Sequence, residues 1–165
     1  MSQRVYLAGP FFSNAQIERL DKVNALLTAN ETIGYIYEPR AHQNDEIVSK
    51  YPSMHEAMQS KEWQVATYRA DVQAMHQADV IVAVFDFDVE GGNVRPDEGT
   101  IWEMGYAIAI GKPVVIVEFS QNDEPMNLML AGSYTAYFWG TEDIKKLVNY
   151  NFIDLPYHGT EKEVF

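Results

Sequence analysis

The strongest constraint on the fold is a rhythm of short apolar runs. RVYLAG (4–9), TIGYIYEP (32–39), DVIVAVFDF (79–87), PVVIVEF (113–119) and YTAYFWG (134–140) are rich in β-branched and aromatic residues and end at turn residues or polar segments. Runs of this length and composition read as buried strands. Helical patterns separate them. Ser13 and Gln16 form an S-x-x-Q capping box, after which Ile17, Leu20, Val23, Leu26 and Leu27 recur at helical spacing.

Residues 40–53 are polar, contain Pro52 and lack a period, so they read as a loop able to cover a site. The spacing of Met58, Lys61, Val65, Tyr68, Val72 and Met75 predicts one long helix from Ser53 to Ala78. Residues 88–96 form a Gly- and Pro-containing loop, followed by an apolar helix closed by Gly111. A short helix is expected over 125–132, and Thr141 is expected to cap another through about Asn149. Strands alternating with helices require crossover connections and a parallel sheet covered on both faces. The expectation is a single α/β domain over 1–165, doubly wound (flavodoxin-like or Rossmann-like), with a five-stranded, mainly parallel sheet flanked by helices. The aromatic tail, 150–165, is expected to pack rather than float free.

A net charge of −12 repels phosphate backbones and anionic surfaces, which argues against polymeric nucleic acid or a membrane as partner. With no cysteine there are no disulfides or thiolate ligands, and MSQRVYLAGP enters a strand pattern without an apolar leader. A cytoplasmic location is therefore expected. Phosphate signatures fail: there is no G-x-G-x-x-G, and the near miss from Gly105 to Gly111-Lys112 has the wrong spacing, with Pro113 in place of Ser or Thr. His42, His55, His76 and His158 show no ligand spacing, and no G-x-S-x-G elbow exists. No metal or cofactor is expected.

Carboxylates remain. Glu103 is the one acid between Ile101 and Ile110, in a helix otherwise fit for a core. An unpaired buried charge is costly. Glu103 is thus either paired with an arginine, turned to solvent, or set in a crevice as a nucleophile beside the small residues Gly99, Thr100 and Gly105. Asp97, six residues earlier, suits an N-cap as well as a site. Asp71 lies off the apolar stripe of its helix, where a solvated position is the ordinary reading. Two or three carboxylates around one crevice suit chemistry at an anomeric carbon, one attacking and one assisting the leaving group.

The chain resembles the nucleoside 2-deoxyribosyltransferases over essentially its whole length, through VYLAGPFF, ATYRAD, PDEGTIWEMGYA and MNLML in that order. The resemblance implies a glycosyltransferase of nucleotide salvage and deoxyribonucleoside catabolism. Such an enzyme exchanges the base of 2′-deoxynucleosides with free purine or pyrimidine bases by a ping-pong route through a covalent ester. It implies Glu103 as nucleophile, Tyr6 as the residue holding it, and Asp71 and Asp97 as aspartates that contact the nucleoside and assist proton transfer. It places Phe12, Phe11 and Trp63 around the base, with Gly9 in the matched VYLAGPFF turn and Gln43 near a glutamine position. Asn127 is implied to reach a neighbouring subunit's site and bind the 5′ end of the sugar, and the Phe165 carboxylate to approach the site. Homo-oligomers are implied, typically hexamers built as trimers of dimers. The rival activities are an N-glycoside hydrolase of 2′-deoxynucleoside 5′-monophosphates and a non-catalytic nucleoside-binding module.

Overall fold

The apolar runs become a five-stranded parallel sheet. The computed structural model describes residues 2–87, 95–120 and 124–165. Its strands are β1 (Gln3–Ala8), β2 (Ile33–Tyr37), β3 (Val80–Val84), β4 (Val114–Glu118) and β5 (Ala136–Trp139). Its helices are α1 (Asn14–Thr28), α2 (Asp45–Val48), α3 (Met54–Gln59), α4 (Lys61–Gln77), α5 (Glu98–Ala109), α6 (Leu128–Ala131) and α7 (Thr141–Ile144). All four strand pairings are parallel, in the order β2-β1-β3-β4-β5. The winding reverses between β1 and β3, and the carboxyl ends of those strands open a crevice there.

Period-two alternation gives the sheet two cores. Val5, Leu7, Val82, Val117 and Phe138 pack on Leu20, Val23 and Leu27 of α1 and on Ile144, Leu147 and Phe152. Tyr6, Ala8, Ile81, Ala83, Ile116 and Tyr137 pack on Met75 of α4 and on Met104 and Ala107 of α5. Each fully buried aliphatic side chain contributes roughly 1.5–3 kcal/mol, so both faces hold their helices firmly. One consequence is that α5 and α4, which carry the acids Glu103 and Asp71, lie on the same face as Tyr6. The capping box at Ser13 forms as the sequence predicts, with the Gln16 side chain accepting the Ser13 N–H.

Three local expectations need correction. The helix expected over 53–78 is two helices. Ser60 takes an extended ψ of 140°, ends α3, and caps α4 by accepting the Trp63 N–H at 3.2 Å. A serine cap stabilises by about 1 kcal/mol, which offsets the interruption. The polar segment 40–53 holds a 3-10 turn over Pro39–Ala41 and then α2. Asn44, at φ 56°, ties it to α4 by donating to Thr67 Oγ1 at 2.8 Å. Thr141 does not cap α7. Gly140 holds that position at φ 81°, a left-handed backbone that disfavours side chains, and Asp143 accepts the Trp139 N–H at 3.0 Å. A 3-10 turn, Lys145–Asn149, continues from α7.

The tail packs back onto β4 and β5. Tyr137 N–H donates to the His158 carbonyl at 2.7 Å, and the His158 ring stacks on Phe138 at 4.4 Å. Met126 N–H donates to Glu163 O at 2.7 Å, and Leu128 N–H to Phe165 O at 3.0 Å. Among the described residues no helix is long and apolar enough to cross a membrane. Most of the 88–96 loop, residues 88–94, lies outside the described residues.

Candidate active site

A cleft of about 470 Å³ opens beside the carboxyl end of β1, lined by Gly9, Phe11, Phe12, Gln43, Trp63, Asp71, Asp97 and Glu103, among others. Segments that are far apart in the chain supply these walls. Gly9 follows β1, where a Cβ would stand 2.9 Å from Leu20 Cδ1 and 3.1 Å from Val84 Cβ. Glycine lets the chain pass close to α1 and β3; a side chain there would require Leu20 and Val84 to shift. Phe11 and Phe12 follow with stacked rings 5.2 Å apart. Trp63, in the first turn of α4, donates from its indole nitrogen to Gln43 O at 2.8 Å, and Gln43 Nε2 donates to Pro39 O at 2.7 Å. The segment after β2 is thereby fastened to the helix that carries Asp71.

Three acids meet on this cleft. Glu103 projects from α5, and Tyr6, fully buried on β1, donates its phenolic hydrogen to Glu103 Oε1. Burial pushes the Glu103 carboxyl up to about 7. The Tyr6 hydrogen bond opposes that rise, while the negative charges of Asp71 and Asp97 add to it. Asp71, on α4, is half-buried and accepts a hydrogen bond from Tyr37 Oη at 3.1 Å. Burial raises it to about 6, with the Tyr37 hydrogen bond and His42 pulling the other way. Asp97 is the N-cap of α5, its Oδ2 accepting from Thr100 N at 2.7 Å and Thr100 Oγ1 at 2.9 Å. The capping and site readings of Asp97 are therefore compatible, since one carboxylate caps the helix and lines the cleft. Among the described residues no cation forms an ion pair with Glu103. A desolvated carboxylate without a counter-ion is a strong nucleophile when ionised.

Asn127 and Phe165 do not join this cleft. Asn127 caps α6 by accepting the Met129 N–H at 2.9 Å. Phe165 is bonded through its backbone to Met126 and Leu128. The two share an exposed patch with Leu128, Met129 and Val164. Conversely, Pro39, Met54, Met58 and Thr67 line the cleft without having been singled out for it. Met58 fitted a core stripe in the sequence, and the break at Ser60 is what carries α3 over the opening. The S-x-x-E of Ser53–Glu56 marks where α3 starts, yet no local signal tells which way its methionines face.

The fold and cleft define a doubly wound α/β protein with three carboxylates at its topological switch point. The family profile described as Nucleoside 2-deoxyribosyltransferase matches residues 5–129. A nucleoside deoxyribosyltransferase from Limosilactobacillus fermentum is 35% identical over 153 residues, covering 90% of this chain and 86% of that protein. One from Lactobacillus leichmannii is 28% identical, covering 90% and 88%. The structure of the 2-deoxyribosyltransferase of Bacillus psychrosaccharolyticus superposes with a TM-score of 0.73 at 27% identity, covering 95% of this chain and 98% of that one. The chain belongs to the nucleoside 2-deoxyribosyltransferase family, and it is an enzyme of the pentosyltransferase class.

Proposed function

We propose that this enzyme exchanges the base of 2′-deoxynucleosides by a ping-pong reaction through an ester between deoxyribose C1′ and Glu103. The observation that carries the reading is the environment of Glu103. It is desolvated, has no paired cation among the described residues, is held by Tyr6, and faces a cleft that two aspartates share. Ionised Glu103 attacks C1′ through an oxocarbenium-like transition state as the base departs with a proton from an aspartate. A deoxysugar lacks the electron-withdrawing 2′-hydroxyl and reaches that cation more easily. The apolar wall of Phe11, Phe12, Met54, Met58 and Trp63 supports stacking of the base and exclusion of water, which favours a second base over hydrolysis.

Asn127 and the Phe165 carboxylate enter through assembly. The exposed patch around them supports a homo-oligomer, a hexamer built as a trimer of dimers, in which they complete a neighbour's cleft at the 5′ end of the sugar. We place the enzyme in deoxynucleoside salvage in the cytoplasm. The test is a donor–acceptor matrix of deoxynucleosides and free bases with a no-acceptor control and deoxynucleoside monophosphates as alternative donors. Base exchange dependent on acceptor, lost by about 10³-fold or more in Glu103→Ala, is expected. Undiminished exchange in that variant refutes the assignment. Acceptor-independent release from the monophosphates identifies a hydrolase instead.

A further inference from the structure

Tyr6 and Tyr37 are register partners on the adjacent parallel strands β1 and β2. Their rings stack at 5.5 Å with planes 14° apart, and each hydroxyl meets a different carboxylate: Glu103 for Tyr6, Asp71 for Tyr37. The outer face of Tyr37 is closed by the His42 ring at 4.2 Å and 6°. Two acids on separate helices are thus addressed by two neighbouring rungs of one sheet.

Resting on the deoxyribosyl-transfer reading, we infer that Tyr37 is a positioning residue that directs the proton of Asp71 to the departing base. Its hydroxyl donates to Asp71 Oδ1, so a proton carried by Asp71 sits on Oδ2. As the C1′–N bond breaks, its electron pair goes to the base. The Oδ2 proton moves to a ring nitrogen of that base and leaves Asp71 as carboxylate. Glu103 supplies the electron pair of the new C1′–O bond. The incoming base returns a proton to Asp71 in the second half-reaction.

Asp97 is the weaker candidate for this role, because its Oδ2 already accepts two hydrogen bonds as the cap of α5. The groups whose charge or hydrogen bonding is felt between Asp71 and its surroundings are Tyr37 from β2, His42 from the segment after it, Tyr6 from β1 and Glu103 from α5. Among these, Tyr37 is the direct donor to Asp71. Losing that bond removes a stabiliser of the ionised carboxylate and moves its titration to higher pH.

The test is Tyr37→Phe, which keeps the ring clamped between Tyr6 and His42 and removes only the hydroxyl. Base release is followed across pH with two donors: 2′-deoxyinosine, whose base leaves with a proton, and 7-methyl-2′-deoxyguanosine, whose cationic base leaves without needing one. With deoxyinosine the expected result is a plateau kcat lower by about tenfold and an alkaline limb moved up by about one pH unit. With the methylated donor neither changes, and in an Asp71→Asn background Tyr37→Phe adds little to the deoxyinosine defect. Equal slowing of both donors, an unmoved limb, or full additivity with Asp71→Asn overturns the role of Tyr37. A wild-type enzyme that exchanges neither donor overturns the transfer reading itself, a separate result.

Discussion

Two tyrosine–glutamate pairs occupy one face of this sheet, and they are built for different ends. Tyr6 donates to Glu103, and Tyr137 donates to Glu118. Glu118 is fully buried, with Lys162 Nζ at 2.9 and 3.1 Å from its two oxygens and that ammonium 5.3 Å over the Trp139 ring. The charge is neutralised inside the fold, and the pair ties the tail to β4. Glu103 has the same tyrosine hydrogen bond, but the charges acting on it are two aspartates, which push its titration up. The hydrogen bond alone does not make a carboxylate structural or reactive. What differs among the described residues is the cation, which pairs with Glu118 and not with Glu103.

The largest effect should come from removing that cation. Lys162→Met leaves a buried carboxylate without its ammonium and should cost about 3–5 kcal/mol, read by urea unfolding. Adding Glu118→Gln should recover most of the loss. An unchanged midpoint in the single variant would dissolve the contrast.

Glu103 should behave in the opposite sense. Its folded-state titration lies at about 7, against an ordinary 4.5, so the native state keeps a proton that the unfolded chain has released. Its contribution to stability is full below the unfolded value and is lost as pH rises through about 7. Glu103→Gln should then stabilise the protein by an amount that grows with pH, on the order of 3 kcal/mol near pH 8 and less near pH 5.5. On the proposed nucleophilic role activity runs the other way: with a donor whose base leaves without a proton, such as 7-methyl-2′-deoxyguanosine, exchange should fall as pH drops below about 7. A gain from Glu103→Gln that is the same at both pH values would mean that Glu103 is not held in a desolvated state.

The smallest effects separate the tyrosines. Tyr137→Phe should cost about 1–2 kcal/mol of stability and leave the pH profile of exchange in place. Tyr6→Phe should cost a similar amount and also move the acid limb of exchange to higher pH, because Tyr6 holds Glu103 down. Matching pH profiles for the two variants would erase the functional difference between the pairs.

Much of the architecture was legible because it rests on near neighbours. The runs at 4–9, 79–87 and 113–119 are strands, and the Ser13–Gln16 box starts α1 where its pattern lies. The misreadings were also local in origin. Apolar spacing ran through Ser60 without marking that its hydroxyl would cap a new helix, and Thr141 looked like a cap because the φ of Gly140 is invisible in one-letter code. In the candidate site, Glu103 stood out because an acid interrupts an apolar helix. Asp71 did not, since a residue off the stripe of a helix looks solvated until β2 is placed beside it.

From its own letters the chain determines which segments are strands and helices, where several of them start, and that one helix carries an acid it has no packing reason to hold. These follow from periods of two and 3.6 residues, which act over a few positions. Tertiary structure alone decided that Tyr37 meets Asp71 across 34 positions and that Lys162 reaches Glu118 across 44, and it made the Tyr6–Glu103 contact across 97 that the resemblance had implied. Those meetings depend on strand register and on how α4, α5 and the tail pack against the sheet, which no short window of sequence contains.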